Sequence, residues 1–78
     1  MAVGADEIDL LVAFGGLLVA VEVKTRLGGD PAEEFTPVKE ARFRRAGQGL
    51  RPMPGRYDLV TVCARRGGVE IRWLPGVC

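Results

Sequence analysis

The chain has 78 residues and a net charge of +1, from 11 lysines and arginines against 10 acids. This length predicts a single small domain over residues 1–78, with a core of marginal size. The absence of histidine, serine and asparagine excludes Ser-His-Asp and Cys-His catalysis and zinc sites that use histidine. Two cysteines, Cys63 and Cys78, are too few for a disulfide framework, so a cytoplasmic location is expected.

The longest uncharged run covers residues 10–21. Twelve residues are too few to span a bilayer. Acids, not bases, precede the run, which is the wrong pattern for a signal peptide. Neither export nor a membrane partner is therefore predicted.

The first predicted element is a β-hairpin. Residues 8–14 and 17–23 are rich in Leu, Ile and Val, which suit a pleated surface. Gly15-Gly16 between them is typical of a two-residue turn that needs positive φ. A three-residue bulged turn is the alternative, and it would shift the register and place Val23 opposite Asp9.

The two-residue turn places Asp9 opposite Glu22 and Glu7 opposite Lys24. Because side chains alternate along a strand, all four point to the same face. Like charges directly across a strand pair are destabilising, and one explanation is a divalent cation such as Mg²⁺ held between Asp9 and Glu22. The alternative is that Lys24 and Arg26 simply neutralise an exposed acidic strand end.

The next predicted element is a helix from Thr36-Pro37 to about Leu50. Threonine caps helices, and proline is favoured at the first helical position. Helical spacing places Lys39 on the same face as Phe43, Ala46 and Leu50, which are core candidates. A lysine in the first turn either extends to water or points toward the strand end that carries Glu22.

Two further strands are predicted over residues 57–64 and 69–73. The first is mostly apolar and is expected to be central, and the second alternates, with Val69, Ile71 and Trp73 expected inward. The second strand, the helix and the third strand predict a right-handed crossover between parallel neighbours. The predicted fold class is α/β, a small mixed β-sheet of two hairpins joined by one crossover helix.

The hairpin has two different faces, and the helix is expected to cover the all-apolar one. That face carries Ile8, Leu10, Val12, Val19, Val21 and Val23. The acid-bearing face also carries apolar residues, which are expected to stay exposed and to mediate a homodimer or a contact with another protein. These residues are Leu11, Ala13, Leu18 and Ala20.

Four segments resemble a known family. EIDL at residues 7–10, VEVKTR at 21–26, TPVK at 36–39 and RYDLV at 56–60 occur in this order in the YraN-like family of small bacterial proteins. That family resembles the PD-(D/E)xK, restriction-endonuclease-like superfamily and is close to archaeal Holliday-junction resolvases. The match covers roughly residues 5–64, and four segments in order are far more specific than an ExK motif alone.

The resemblance implies a metal-dependent nuclease that acts on DNA, in branched or single-stranded form, with Mg²⁺ or Mn²⁺ as cofactor. It makes Asp9 the first acid of the motif, and Lys24 the group that positions water or stabilises the transition state. The metal ligands that it implies are Asp9, Glu22 and the backbone carbonyl of Val23, with Glu7 as a supporting candidate. The match to TPVK adds Lys39 as a further catalytic candidate.

The chain also departs from the family. The family usually begins with a helix carrying a Gly-Glu pair and then a strand, whereas here Met1 stands five residues before the matching segment and Asp6 replaces a usual glycine. The resemblance therefore implies a truncated restriction-endonuclease-like core whose N-terminal helix is missing. This favours the alternative function, a non-catalytic nucleic-acid-binding or protein-assembly module that retains the nuclease fold.

Charge is unevenly distributed along the chain. Residues 1–34 hold seven acids and two bases, a net charge of −5, whereas residues 35–78 hold nine bases and three acids, a net charge of +6. An acidic site beside a basic remainder suits an enzyme that surrounds a phosphodiester with metal and cationic groups. An ordinary solvated surface is the alternative explanation of the same counts.

Overall fold

A computed structural model describes residues 8–78 as a four-stranded mixed sheet with one α-helix. The sheet order is β1-β2-β3-β4. The first and last strand pairs are antiparallel, and the central pair is parallel, which confirms two hairpins joined by a crossover helix. The elements are β1 (Leu10–Phe14), β2 (Leu17–Leu27), a 3₁₀ turn (Pro31–Glu34), α1 (Pro37–Gln48), β3 (Arg56–Arg65) and β4 (Gly68–Leu74).

The first hairpin has the two-residue turn and the register predicted from it. Phe14 pairs with Leu17, and the ladder continues in the same register to its far end. Gly15 and Gly16 have φ values of 56° and 81°, a region that other residues enter only with strain. The bulged alternative is therefore excluded.

The ends of these strands differ from the prediction. β1 begins at Leu10, and just before it the carboxylate of Asp9 accepts a hydrogen bond from the Val23 backbone N–H at 2.7 Å. The Asp9 side chain thus replaces the backbone hydrogen bond that would come next in the ladder between β1 and β2. β2 continues four residues beyond the predicted end, because residues 24–27 pair with residues 61–64 of β3.

The helix starts as predicted. The Thr36 hydroxyl accepts a hydrogen bond from the Lys39 backbone N–H at 3.3 Å, and Pro37 is the first helical residue. Phe43 and Ala46 are each 1% exposed and face the sheet. None of the helices between residues 8 and 78 has the length and apolar character that a membrane crossing requires.

The helix covers the acid-bearing face of the sheet, so the expectation that it covers the all-apolar face was wrong. Ala20, Phe43 and Tyr57 form one buried cluster. Ala20 and Tyr57 are paired in the parallel ladder, and alternation places them on the same face as Glu22. The handedness of a crossover decides where its helix packs, whichever face is more apolar.

Close aromatic packing holds the helix on this face. The Phe43 ring lies edge-on to Tyr57, with centroids 5.3 Å apart, and to Phe35, with centroids 6.0 Å apart. The Tyr57 hydroxyl donates to the Arg44 carbonyl at 3.4 Å. Gly47 is buried against the Tyr57 ring, where a Cβ atom would overlap the ring and its hydroxyl. The absence of a side chain at Gly47 therefore permits the close approach of α1 to β3.

The opposite face, called here the open face, exposes large apolar side chains on both edge strands. Val69, Ile71 and Trp73 are 63%, 68% and 59% exposed, so the prediction that they point inward was wrong. β4 forms the edge of the sheet, and in the described part of the chain α1 packs on the other side. The exposed large apolar residues of the two edge strands on this face are Leu10, Val12, Phe14, Val69, Ile71 and Trp73, and Leu27 at the end of β2 is exposed on the same face.

Candidate metal site on the helix-covered face

Three of the predicted site residues meet where β1 begins. Asp9 lies immediately before β1, and Glu22 and Lys24 lie on β2. The Lys24 Nζ atom is 3.9 Å from Glu22 Oε1, and the Glu22 side chain has the largest influence on the pKa of Asp9. The geometry thus brings the two acids and the lysine of the ExK motif into one cluster.

The parallel pairing of β2 with β3 positions this cluster. Glu22 pairs with Leu59 and Lys24 with Thr61, and both β3 residues are 2% exposed. The side chains of Glu22 and Lys24 are themselves only 14% and 22% exposed. The site is therefore carried by a rigid central strand, while its charged groups still reach solvent.

The protonation of Asp9 reflects its neighbours. The side-chain hydrogen bond with Glu22 is the largest influence and lowers the pKa of Asp9. Partial burial opposes this effect, while the Val23 N–H and the positive charge of Lys24 lower the pKa further. Asp9 is held in its ionised form, which is the form that binds a cation.

The cluster fits a hard divalent cation. Two carboxyl groups in hydrogen-bond contact must share a proton or be bridged by positive charge. Mg²⁺ and Mn²⁺ take oxygen ligands, and one or two carboxylates suffice when waters and substrate phosphate complete the shell. Asp9, Glu22 and the Val23 carbonyl are such oxygen donors. Within residues 8–78 no group of three acidic, cysteine or histidine side chains surrounds a common point, and Glu7 lies outside the described residues.

Lys39 is not joined to this cluster by a side-chain contact. It is exposed in the first turn of α1, where its backbone N–H donates to the Thr36 hydroxyl at 3.3 Å. Among the residues that the structure describes, its side chain has no hydrogen bond or ion pair. The geometry therefore supports Lys24 more strongly than Lys39.

A second polar centre, which sequence analysis missed, lies on the open face around Asp58. This carboxylate is 1% exposed and accepts two hydrogen bonds of 2.9 Å from the Arg56 guanidinium. The Trp73 indole N–H donates to it at 2.8 Å, and the Gly76 backbone N–H at 3.0 Å. The Arg56 guanidinium also lies 5.6 Å from the centre of the Trp73 ring.

These partners keep Asp58 ionised despite its burial. Burial alone raises the pKa of Asp58, but the hydrogen bonds from Arg56, Gly76 and Trp73 outweigh it and lower the pKa. An ionised acid this deeply buried requires such partners. The signal in the sequence was an arginine two residues before an aspartate, on one face of a strand otherwise rich in apolar residues.

The comparisons with known proteins identify relatives along most of the chain. The sequence profile described as "Uncharacterised protein family UPF0102" matches residues 1–62. A UPF0102 protein of Symbiobacterium thermophilum is 46% identical over 67 residues, covering 74% of this chain and 57% of that protein.

Two other UPF0102 proteins match over more of the chain. One of Leifsonia xyli is 41% identical over 83 residues, covering 94% of this chain and 70% of that protein. One of Nitrosococcus oceani is 35% identical over 78 residues, covering 87% of this chain and 63% of that protein. The chain thus spans 57–70% of the length of these three relatives. No solved structure matches it.

Proposed function

The chain belongs to the uncharacterised protein family UPF0102, the YraN-like family that its motifs resemble, and we propose that it is a metal-dependent nuclease acting on DNA. The observation that carries this proposal is the contact cluster of Asp9, Glu22 and Lys24. Two carboxylates and an amine beside the middle of a central strand are groups that metal-assisted phosphodiester hydrolysis uses. The resemblance to the PD-(D/E)xK superfamily supports the same chemistry.

Each residue of the cluster has a defined part in this proposal. Asp9 and Glu22 hold Mg²⁺ or Mn²⁺, with the Val23 carbonyl as a further ligand. A cation held there would neutralise charge on the phosphate and lower the pKa of a bound water. The Lys24 amine contacts Glu22 and also reaches solvent, so it is placed to orient the attacking water or to stabilise charge on the phosphate.

The basic half of the chain supports a nucleic acid as the substrate. Residues 35–78 carry a net charge of +6, and Arg42 and Arg45 are exposed on α1. Lysines and arginines that neutralise backbone phosphates provide the sequence-independent part of nucleic-acid affinity. Branched and single-stranded DNA are the forms to assay first, because the resemblance to Holliday-junction resolvases implies them.

The first test is a calorimetric titration with Mn²⁺ that needs no substrate. We expect saturable binding by the wild type and its loss in Asp9→Asn, which keeps an oxygen that can accept from the Val23 N–H. Asp30→Asn is the matched control, because Asp30 also accepts one backbone N–H, from Ala32 at 3.0 Å. Absence of binding in the folded wild type would overturn the metal-dependent mechanism.

The second test separates catalysis from binding. Lys24→Ala is expected to abolish cleavage of branched or single-stranded DNA in Mn²⁺ while leaving DNA affinity nearly unchanged. Lys39→Ala, at the only other lysine in the chain, is expected to lower cleavage less. Equal losses of affinity and cleavage in Lys24→Ala would contradict the catalytic role of that residue.

The alternative function is a non-catalytic nucleic-acid-binding or protein-assembly module. Two observations favour it: the two-carboxylate cluster lacks a third acid among residues 8–78, and the open face is a large apolar surface. DNA binding without Mn²⁺ binding or cleavage would select this alternative.

A further inference from the structure

The open face is almost wholly apolar, and this sets it apart from the rest of the surface. Strand alternation places only Thr25, Arg56 and Asp58 there as polar residues, among side chains of all four strands. Arg56 and Asp58 are paired with each other at 2.9 Å. The face therefore carries no net charge, and its buried carboxylate is already fully hydrogen-bonded.

The shape of this face is suited to receiving side chains. Apolar residues of the two edge strands stand on either side of a depression of about 140 Å³. Val12 and Phe14 line it from β1, Val19 and Val21 from β2, and Trp73 from β4. An apolar cavity of about 150 Å³ accepts a group the size of benzene.

The exposed area is large for a surface left in water. The six exposed apolar side chains that the two edge strands place on the open face are 41–68% exposed, which for residues of this size amounts to roughly 600 Å² of apolar surface. This is the upper end of the largest patch on a typical monomer, about 300–600 Å². Two such faces together bury about 1,200 Å², the lower limit of a stable specific interface.

Among residues 8–78, α1 packs on the opposite side of the sheet. The C-terminal residues reach the Asp58 end of the open face, where the Gly76 backbone N–H donates to the carboxylate at 3.0 Å. The described residues leave the exposed apolar side chains of the two edge strands uncovered.

We infer that a second copy of this chain covers the open face and that the protein forms a two-fold symmetric homodimer. Two sheets then pack face to face, with edge-strand side chains of each copy seated over the central depression of the other. A neutral face allows identical copies to approach without repulsion, and it offers no positive charge to a nucleic acid. This moves the predicted homodimer from the acid-bearing face to the open face, because α1 buries Ala20 on the acid-bearing face, although Leu11 there is 49% exposed.

Sedimentation velocity tests the dimer without metal or DNA, so its outcome is independent of the nuclease proposal. We expect the wild type to pass from monomer to dimer between roughly 1 and 200 µM, because weak and transient complexes have interfaces at the low end of the size range. Ile71→Glu buries an unpaired charge in the dimer and is expected to weaken it about 100-fold. Val38→Glu is the matched control, because Val38 is 62% exposed on α1.

The outcomes are distinct. Dissociation by Ile71→Glu but not by Val38→Glu supports the dimer, and circular dichroism checks that both variants are folded. Val69→Glu serves as a second variant, since Val69 is 63% exposed on the same face. A wild type that stays monomeric throughout, equal dissociation by Val38→Glu, or open-ended polymers would overturn the inference.

Discussion

Neutralising the buried acid of the open face, with Asp58→Asn, is expected to destabilise the fold by about 2 kcal/mol. The substitution keeps nearly the same shape but replaces one charged oxygen by an amide donor, which then faces the Arg56 guanidinium. A hydrogen bond to a charged group is worth about 1.5–3 kcal/mol. The loss lies toward the lower end because the Arg56 side chain is 30% exposed and regains contact with water.

Urea unfolding followed by circular dichroism measures this loss. With a denaturant slope of about 1 kcal/mol/M for a domain of this size, the unfolding midpoint is expected to fall by about 2 M. Both proteins must be compared at one protein concentration, since dimerisation would make stability concentration-dependent. Glu70→Gln is the control: this exposed acid lies 3.4 Å from Arg65 and 3.6 Å from Arg72, and screening by water leaves such pairs little effect.

The stability difference between the wild type and Asp58→Asn is also expected to depend on pH, in a direction that the pKa of Asp58 decides. Since the folded state lowers the pKa of Asp58, its contribution to stability is complete above the ordinary aspartate value, near 4, and is lost as the pH falls through the lowered value. Asp58→Asn has no such titration, so the gap between the two proteins is expected to narrow from about pH 4 downward. A difference in unfolding free energy below about 0.5 kcal/mol at pH 7, typical of an ordinary surface substitution, would refute the reasoning. A difference that stays constant as the pH falls would refute it as well.

Two further predictions concern the packing of the helix on the sheet. Gly47→Ala gains about 1 kcal/mol of helix propensity but forces a methyl group against Tyr57, which costs about 1–3 kcal/mol. Urea unfolding is expected to show that Gly47→Ala is less stable than the wild type. Gly68→Ala is the control and is expected to lose no stability, because the added Cβ meets no neighbouring atom within 4 Å. A stabilised Gly47→Ala would contradict the observed packing. Phe43→Ala removes a side chain that is 1% exposed and is expected to cost about 3–5 kcal/mol of stability, measured as loss of helical circular dichroism. Val38→Ala, on the outer side of the same helix, is the control and is expected to remain folded. Equal behaviour of the two variants would be inconsistent with Phe43 as a core residue.

The cluster of acids and lysine was predictable because it depends on local rules. The length of the Gly15-Gly16 turn sets the hairpin register, and the two-residue repeat of a strand sets the face. Together they place Asp9 beside Glu22, with Lys24 one step further along the same face. No knowledge of distant contacts is required for this inference.

The Asp58 centre was not predictable in the same way. Its partners come from the next strand and from the backbone beyond it, with Trp73 and Gly76 lying 15 and 18 residues away in sequence. From the sequence alone, Asp58 was interpreted as part of a family motif and Trp73 was predicted to be a core residue. Only the pairing of β3 with β4 shows that the indole N–H meets the carboxylate.

The sequence by itself determined the elements, the hairpin register and the composition of each strand face, because turn chemistry, capping and alternation act over a few residues. The tertiary structure alone decided which face the helix covers, since the course of the crossover, not the hydrophobicity of the face, sets that side. It also decided that the described residues leave the most apolar face open, which is the surface of the proposed dimer. The acids, in contrast, lie on the face that the helix partly shelters.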